Sequence, residues 1–299
     1  MKHSRLAQRK LNQHQKKVTN KIFTTKWQAL LIFALLALLF TTVYLVLPSS
    51  WNGKSKIAVS VQDPSGNVKV VILDPPNSSI YTVVIPGVTQ VSASNELGSW
   101  KLESITKLGQ DKKLSGDFLK NTIIKSFNFP VDYWANANFL SSFNSGPSSF
   151  TFMDKIKILL FSFGVGGTGK IDINLADSGL LQRSQLVDTS LGWTISDTMP
   201  AKIKSYFAIV DSNDQVLIED ASGNGSSANM VAKTMETLGV NIASIQQEGE
   251  QNTDCKITGL DKDIIVKIAN IFSCTSEIGK PANNFDIEIQ LGTKFKNRF

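Results

Sequence analysis

Residues 27 to 47 read WQALLIFALLALLFTTVYLVL, 21 consecutive positions without a charge. At 1.5 Å per helical residue such a run crosses a hydrocarbon layer of about 30 Å, which predicts a membrane span. Beyond it, the apolar runs KIAVSV, VKVVIL and YTVVIP between residues 56 and 91 are cut by DPSGN and DPPNSS, the pattern of three strands joined by turns. Leu119, Ile123 and Phe127 share one helical face within residues 116 to 128, with Gly116 before and Pro130 after as stop signals. Residues 134 to 151 have a loop composition of Asn, Ser, Gly and Phe. Phe152, Ile156, Leu159, Leu160 and Phe163 then recur at helical spacing, and a glycine turn leads to the alternating strand KIDINL. The stretch 176 to 200 reads as irregular. From Gln215 the chain gives a strand, QVLIEDA, a GNG turn, and a helix with Ala228, Val231, Ala232, Met235 and Leu238 on one face, closed by Gly239. The strands VNIASI and DCKITG follow, then a helix after Asp261 carrying Ile264, Ile265, Ile268, Ile271 and Phe272, and a last strand, FDIEIQLG. The order is β-α-β-β-α-β.

Charge orients this plan. Lys2, Arg5, Arg9, Lys10, Lys16, Lys17, Lys21 and Lys26 precede the span with no acid among them, and short flanks rich in Lys and Arg stay in the cytoplasm. A cleavable signal would want a shorter apolar core, a short basic head and a small-residue cleavage site. The 26-residue head and the exit LPSSWNG predict an uncleaved anchor instead. Removing the 8 basic residues of the tail from the chain's 31 leaves 23 against 25 acids, a net charge of −2 beyond residue 26. The basic tail suits anionic lipid and topogenesis, and nucleic acid is not an expected partner. Both histidines, His3 and His14, lie in the tail. The remainder therefore has no imidazole for Ser-His-Asp or Cys-His catalysis or for His-ligated zinc.

Gly164, Gly169 and Lys170 have the spacing of a phosphate-cradling loop. That reading needs a strand before, a helix after, and Ser or Thr following the Lys. Here a helix precedes, a strand follows and the next residue is Ile171. An extracytoplasmic location also lacks ATP, so the segment is expected to be a turn.

Two parts of the chain resemble known families. Residues 215 to 292, with VLIEDASGNGSSANMVAKTMETLGVNI and the closing DIEIQLG, resemble the LytR C-terminal domain. The family's Asn-Gly turn appears displaced, as Gly223, Asn224 and Gly225. VVIPGVTQV at 83 to 91, WKLESITKLG at 100 to 109 and FPVDYWANANF at 129 to 139 resemble, in order and approximate spacing, a degenerate LytR-CpsA-Psr domain, usually found behind one membrane span. Such enzymes transfer glycopolymer from a polyprenyl pyrophosphate carrier to peptidoglycan, and the resemblance implies arginines and magnesium-binding aspartates around the pyrophosphate. Here Gly87 stands where the family has Arg and Val88 where it has Asp, and the upstream G-x-D-x-R motif is missing. Only Arg183 and Arg298 follow residue 26.

The expected fold is therefore α/β. It comprises a cytoplasmic tail at 1 to 26, a single transmembrane helix at 27 to 47, a degenerate LytR-CpsA-Psr-like α/β domain at 55 to 200, and a small α+β LytR C-terminal domain at 208 to 299. The expected function is a membrane-anchored envelope protein that binds or organises wall glycopolymer or peptidoglycan without catalysis. The alternatives are a divergent phosphotransferase of the same family, which alone would need Mg²⁺, and an extracytoplasmic scaffold for protein partners. No cofactor and no metal site are expected otherwise. Lys101, Lys107 and Thr89 are the candidate substrate-binding residues. Ser104 and Lys107 match S-x-x-K, but the companion S-D-N and K-T-G are absent. Asp172, Asp177 and Asp188 are weighed as metal ligands and read as solvated caps, and Trp134 with Phe139 to Phe143 is read as core rather than lipid groove. Cys255 and Cys274, placed in an oxidising compartment, are expected to form a disulfide, with two buried thiols as the alternative.

Overall fold

β1 (Ile57–Gln62), β2 (Val68–Asp74) and β3 (Ser79–Ile85) form an antiparallel meander in the computed structural model, which describes residues 32–35, 49–114, 116–141, 147–209, 214–223, 225–281 and 284–299. Successive side chains of a strand point to opposite faces. Ala58, Val68, Val70 and Ile72 accordingly enter one apolar cluster, while Ile57, Val59, Val61, Val71 and Leu73 enter a second on the other face. Because both faces are covered, the strands read as nearly continuous apolar runs rather than alternating ones.

A hairpin of β4 (Gln90–Ser92) and β5 (Ser99–Lys101) leads through a 3₁₀ turn, Leu102–Ser104, into helices α1 (Ile105–Asp111) and α2 (Asp117–Phe127). Helix α2 brings Phe118, Ile123, Ile124 and Phe127 to the first cluster. It closes at Asn128 in the left-handed region (φ 53°), where a polar side chain is tolerated. β6 (Tyr133–Asn136) pairs in parallel with β1. Helix α3 (Phe152–Gly164) opens on a capping box in which Thr151 and Asp154 satisfy each other's backbone N–H groups, and it covers the second cluster with Ile158. After a 3₁₀ turn at Gly167–Gly169, β7 (Lys170–Asn174) pairs in parallel with β3, giving the order β6-β1-β2-β3-β7.

Residues 176 to 200, expected to be irregular, contain a hairpin of β8 (Leu181–Gln185) and β9 (Leu191–Ile195). It forms a separate two-stranded ribbon in which only Leu181 and Gly192 are buried, so no apolar alternation marks it. α4 (Ala201–Phe207) follows Pro200.

The second sheet is built from β10 (Gln215–Ala221), α5 (Ser226–Leu238), β11 (Asn241–Gln247), β12 (Cys255–Gly259), α6 (Lys262–Phe272), β13 (Thr275–Ile278), β14 (Ile287–Gly292) and α7 (Thr293–Arg298). Its order is β11-β10-β14-β12-β13, with β12 antiparallel to β14 and the other pairs parallel. β13 adds to the expected β-α-β-β-α-β order an edge strand whose residues are all exposed. Cys255 and Cys274 are joined in a disulfide that ties the start of β12 to the residue before β13.

Residues 50–299 form one compact unit. The first apolar cluster runs through both sheets, from Ala58 to Phe299. Phe129 stacks on Phe207 at 4.6 Å between ring centres. Lysine ammonium groups tie the first half to the second and to α4. Lys267 donates to Asp132 at 2.9 and 3.0 Å, and Lys120 to the Asn270 carbonyl and the Ser273 hydroxyl at 3.0 and 2.8 Å. Lys56 donates to the Tyr206 and Ala208 carbonyls at 3.2 and 2.8 Å. Burial drives the Lys120 ammonium below its ordinary pKa.

Residues 27 to 47, read above as a membrane span, lie outside the described residues except for 32 to 35, which are helical. Among the described residues no helix is long and apolar enough to cross a membrane.

Candidate functional site

The chain leaves β3 through a tight turn in which the Thr89 N–H donates to the Pro86 carbonyl at 3.0 Å. Gly87 is held against the turn between β1 and β2: its N–H donates to Asn67 Oδ1 at 2.9 Å, and its carbonyl accepts the Glu103 N–H at 2.9 Å. A Cβ at position 87 would stand 2.6 Å from the Gly66 carbonyl oxygen, so this position admits no side chain without moving backbone. The Val88 carbonyl accepts the Trp193 N–H at 3.3 Å, which docks the β8–β9 ribbon on the same turn.

Beside this turn the β4–β5 hairpin and the β8–β9 connection enclose a cleft of about 350 Å³. Gln90, Ser99, Trp100 and Lys101 line one side, Ser104 the floor of the 3₁₀ turn, and Leu186, Val187 and Asp188 the other side. Trp100 is 42% exposed, although its indole N–H is held by the Leu97 carbonyl at 2.8 Å. Val187 is 84% exposed. Lys101 Nζ lies 2.8 Å from Asp188 Oδ2 and spans the cleft. The Lys101 ammonium, and after it the Ser190 hydroxyl and N–H, bring the Asp188 carboxyl down to about 2.

This assembly offers groups suited to contact with a ligand. An open indole beside an amide and two hydroxyls offers an apolar face together with donors and acceptors. The Asp188 carboxyl is kept ionised beside Lys101, so it is not set to take up a proton near neutral pH. Asp188 is the one acid among the described residues lining the cleft, and it is already paired with Lys101. Among the described residues no group of three or more His, Cys, Asp or Glu could hold a metal ion.

Of the residues singled out in the sequence, Lys101 and Ser104 reach the cleft. Lys107 is exposed on α1 and does not line it. Thr89 requires a correction: it is fully buried beneath the ribbon, bridged to Trp193, and its hydroxyl has no partner among the described residues. It does not line the cleft. In the C-terminal half, Gly223 adopts φ 85°, and a Cβ there would stand 2.0 Å from Glu250 Oε1. Gly225 precedes α5, and Asn224 lies outside the described residues. Asp177 accepts from Asn174 at 2.9 Å, Asp172 is exposed on β7, and Asp188 caps Ser190 at 2.6 Å. Trp134 covers Gly116, and Phe139 stacks on Phe150 at 5.9 Å, while Phe143 lies outside the described residues. Trp100, Gln90 and Ser99 escaped the sequence reading. The available signal was a tryptophan flanked by polar residues in GSWKLES, directly before the candidate Lys101. Arg183, on the same ribbon, lies over the Trp193 ring at 5.1 Å.

No protein family matches the chain by sequence, and no curated protein does. Among solved structures it is similar to B. subtilis TagT, with 10% identity over 49% of this chain and 86% of that one and a TM-score of 0.33. It is similar also to the LytR-CPS2A-psr family protein YwtF (TagT) with bound octaprenyl pyrophosphate lipid, with 10% identity, 48% and 85% coverage and a TM-score of 0.33. A third is B. subtilis TagV, with 8% identity, 63% and 99% coverage and a TM-score of 0.34. YwtF belongs to the family that residues 83 to 139 resemble.

Proposed function

We propose that this chain is a single-pass cell-envelope protein, its N-terminus cytoplasmic, that binds wall glycopolymer or peptidoglycan in the cleft at Trp100 without transferring it. One observation carries the reading: an open indole with amide and hydroxyl partners lies beside a turn that is closed, at Gly87, to the side chain on which the family's chemistry would depend. A saccharide presents C–H faces to an aromatic ring and hydroxyls to polar neighbours. The Lys101–Asp188 pair can bond to those hydroxyls or to a charged substituent. The basic tail and uncharged run before residue 48 support the anchored topology.

The test uses the full chain in detergent, offered peptidoglycan fragments, and a polyprenyl-pyrophosphate-linked saccharide with magnesium. Binding of one of these is expected to weaken about tenfold or more in Trp100→Ala, the scale of losing a central aromatic anchor, and no linked product is expected. Magnesium-dependent transfer, abolished by Lys101→Ala or Lys107→Ala, would establish the phosphotransferase alternative. Undiminished binding by Trp100→Ala would remove the cleft from the proposal.

A further inference from the structure

Helix α3 buries Met153, Asp154, Ile158 and Ser162 and turns a second apolar face outward. Ile156, Leu159, Leu160 and Phe163 follow the i, i+3, i+4, i+7 spacing that places them along one stripe. Ile156 and Leu159 are half-buried, whereas Leu160 is 66% and Phe163 76% exposed. The glycine turn after it, and Ile171 on β7, extend the exposed apolar segment. Among residues 152 to 171 the acid is Asp154, which is fully buried, while Lys155, Lys157 and Lys170 supply the charge.

The first turn of α3 also holds the start of the compact unit. Asp154 accepts the Ser50 and Trp51 N–H groups at 3.3 and 3.0 Å, and Lys157 Nζ donates to the Trp51 carbonyl at 2.7 Å. Only Pro48 and Ser49 separate Ser50 from the uncharged run that ends at Leu47. Three residues span at most about 10 Å. A bilayer crossed by that run is therefore within reach of α3.

From these observations we infer that α3 lies on the outer surface of the lipid bilayer, with Leu160 and Phe163 in the boundary between headgroups and acyl chains. The inference rests on the anchored topology proposed above. A helix with an apolar stripe, a basic margin and no exposed acid is the form that settles in the plane of an anionic interface. At 13 residues it is about 20 Å long, which makes it a contact surface and not a span.

The experiment reconstitutes the full chain in vesicles of phosphatidylcholine with phosphatidylglycerol. A polarity-sensitive dye is attached at Leu160→Cys, at Phe163→Cys, or at Gln182→Cys on the exposed ribbon as a control. The dyes at 160 and 163 are expected to emit further to the blue than in water and to be quenched by lipids brominated in their acyl chains. The dye at 182 is expected to show neither effect. Water-like emission at 160 and 163 in protein that floats with the vesicles would overturn the inference and leave the anchor intact. A blue shift without bromine quenching would show that protein covers the face, and would overturn it as well. Protein that does not float with the vesicles would overturn the anchored topology and the inference together.

Discussion

Gly87, Thr89, Lys101 and Asp188 lie within one turn and its neighbours, and each illustrates a different limit on what a residue name implies. Gly87 was legible as a departure from a motif, but the reason no side chain fits is the Gly66 carbonyl oxygen, brought there by the β1–β2 turn. Thr89 follows a glycine-containing turn and reads as accessible. The ribbon that buries it comes from about a hundred residues further along the chain, where no local pattern announces it. Asp188 gives a pH prediction. Its carboxyl is depressed, so whatever the Lys101–Asp188 pair contributes is fully present above the ordinary value of 3.8 and is lost as the pH falls toward about 2. An NMR titration of the Asp188 carboxyl should show a midpoint near 2, returning toward the ordinary aspartate range in Lys101→Ala. A midpoint unmoved by that substitution would mean the pair does not form.

Elements were legible where apolar periodicity was complete. β1 to β3, α2, α3, β7 and the strands and helices from β10 to β12 and at α6 and β14 all feed residues to a core, and burial imposes the spacing by which they are recognised. The short or exposed elements were not. β6 has four residues inside an Asn- and Ser-rich stretch and owes its pairing to β1. β13 has four exposed residues and owes its place to β12, with the disulfide just before it. This bridge closes a loop with a sequence separation of 19. In the chain-entropy account, reduction should cost about 3 kcal/mol, since the unfolded chain regains the freedom of that loop. Urea unfolding with and without reductant, followed by tryptophan fluorescence, should show the midpoint fall on reduction. An unchanged midpoint would mean that α6 and its flanking strands are held equally well by packing.

At the scale of the whole molecule, the sequence separates two modules while the structure joins them through one core. Lys267 and Asp132, with side chains 9% and 1% exposed, form the most deeply buried ion pair across the junction among the described residues. Asp132 accepts the Ala58 N–H at 2.7 Å as well. Lys267→Met should destabilise the fold by about 3 to 5 kcal/mol, because it leaves a buried carboxylate without its counter-charge. Adding Asp132→Asn removes that charge while keeping an acceptor for Ala58, and should recover part of the loss in the urea midpoint. A single Lys267→Met variant as stable as the parent would mean that the pair adds nothing, burial having pushed the Asp132 carboxyl up to its neutral form.

The shared core has a genetic consequence. A stop codon after residue 207 would appear, from the sequence, to delete one accessory module and spare the other. In the folded chain it would remove the acceptors of Lys120 at Asn270 and Ser273, the partner of Asp132, and the apolar residues from Val216 to Phe299 that continue the cluster begun at Ala58. Such an allele would yield a truncated product that fails quality control rather than a protein lacking one activity. Its phenotype would match a deletion of the whole gene.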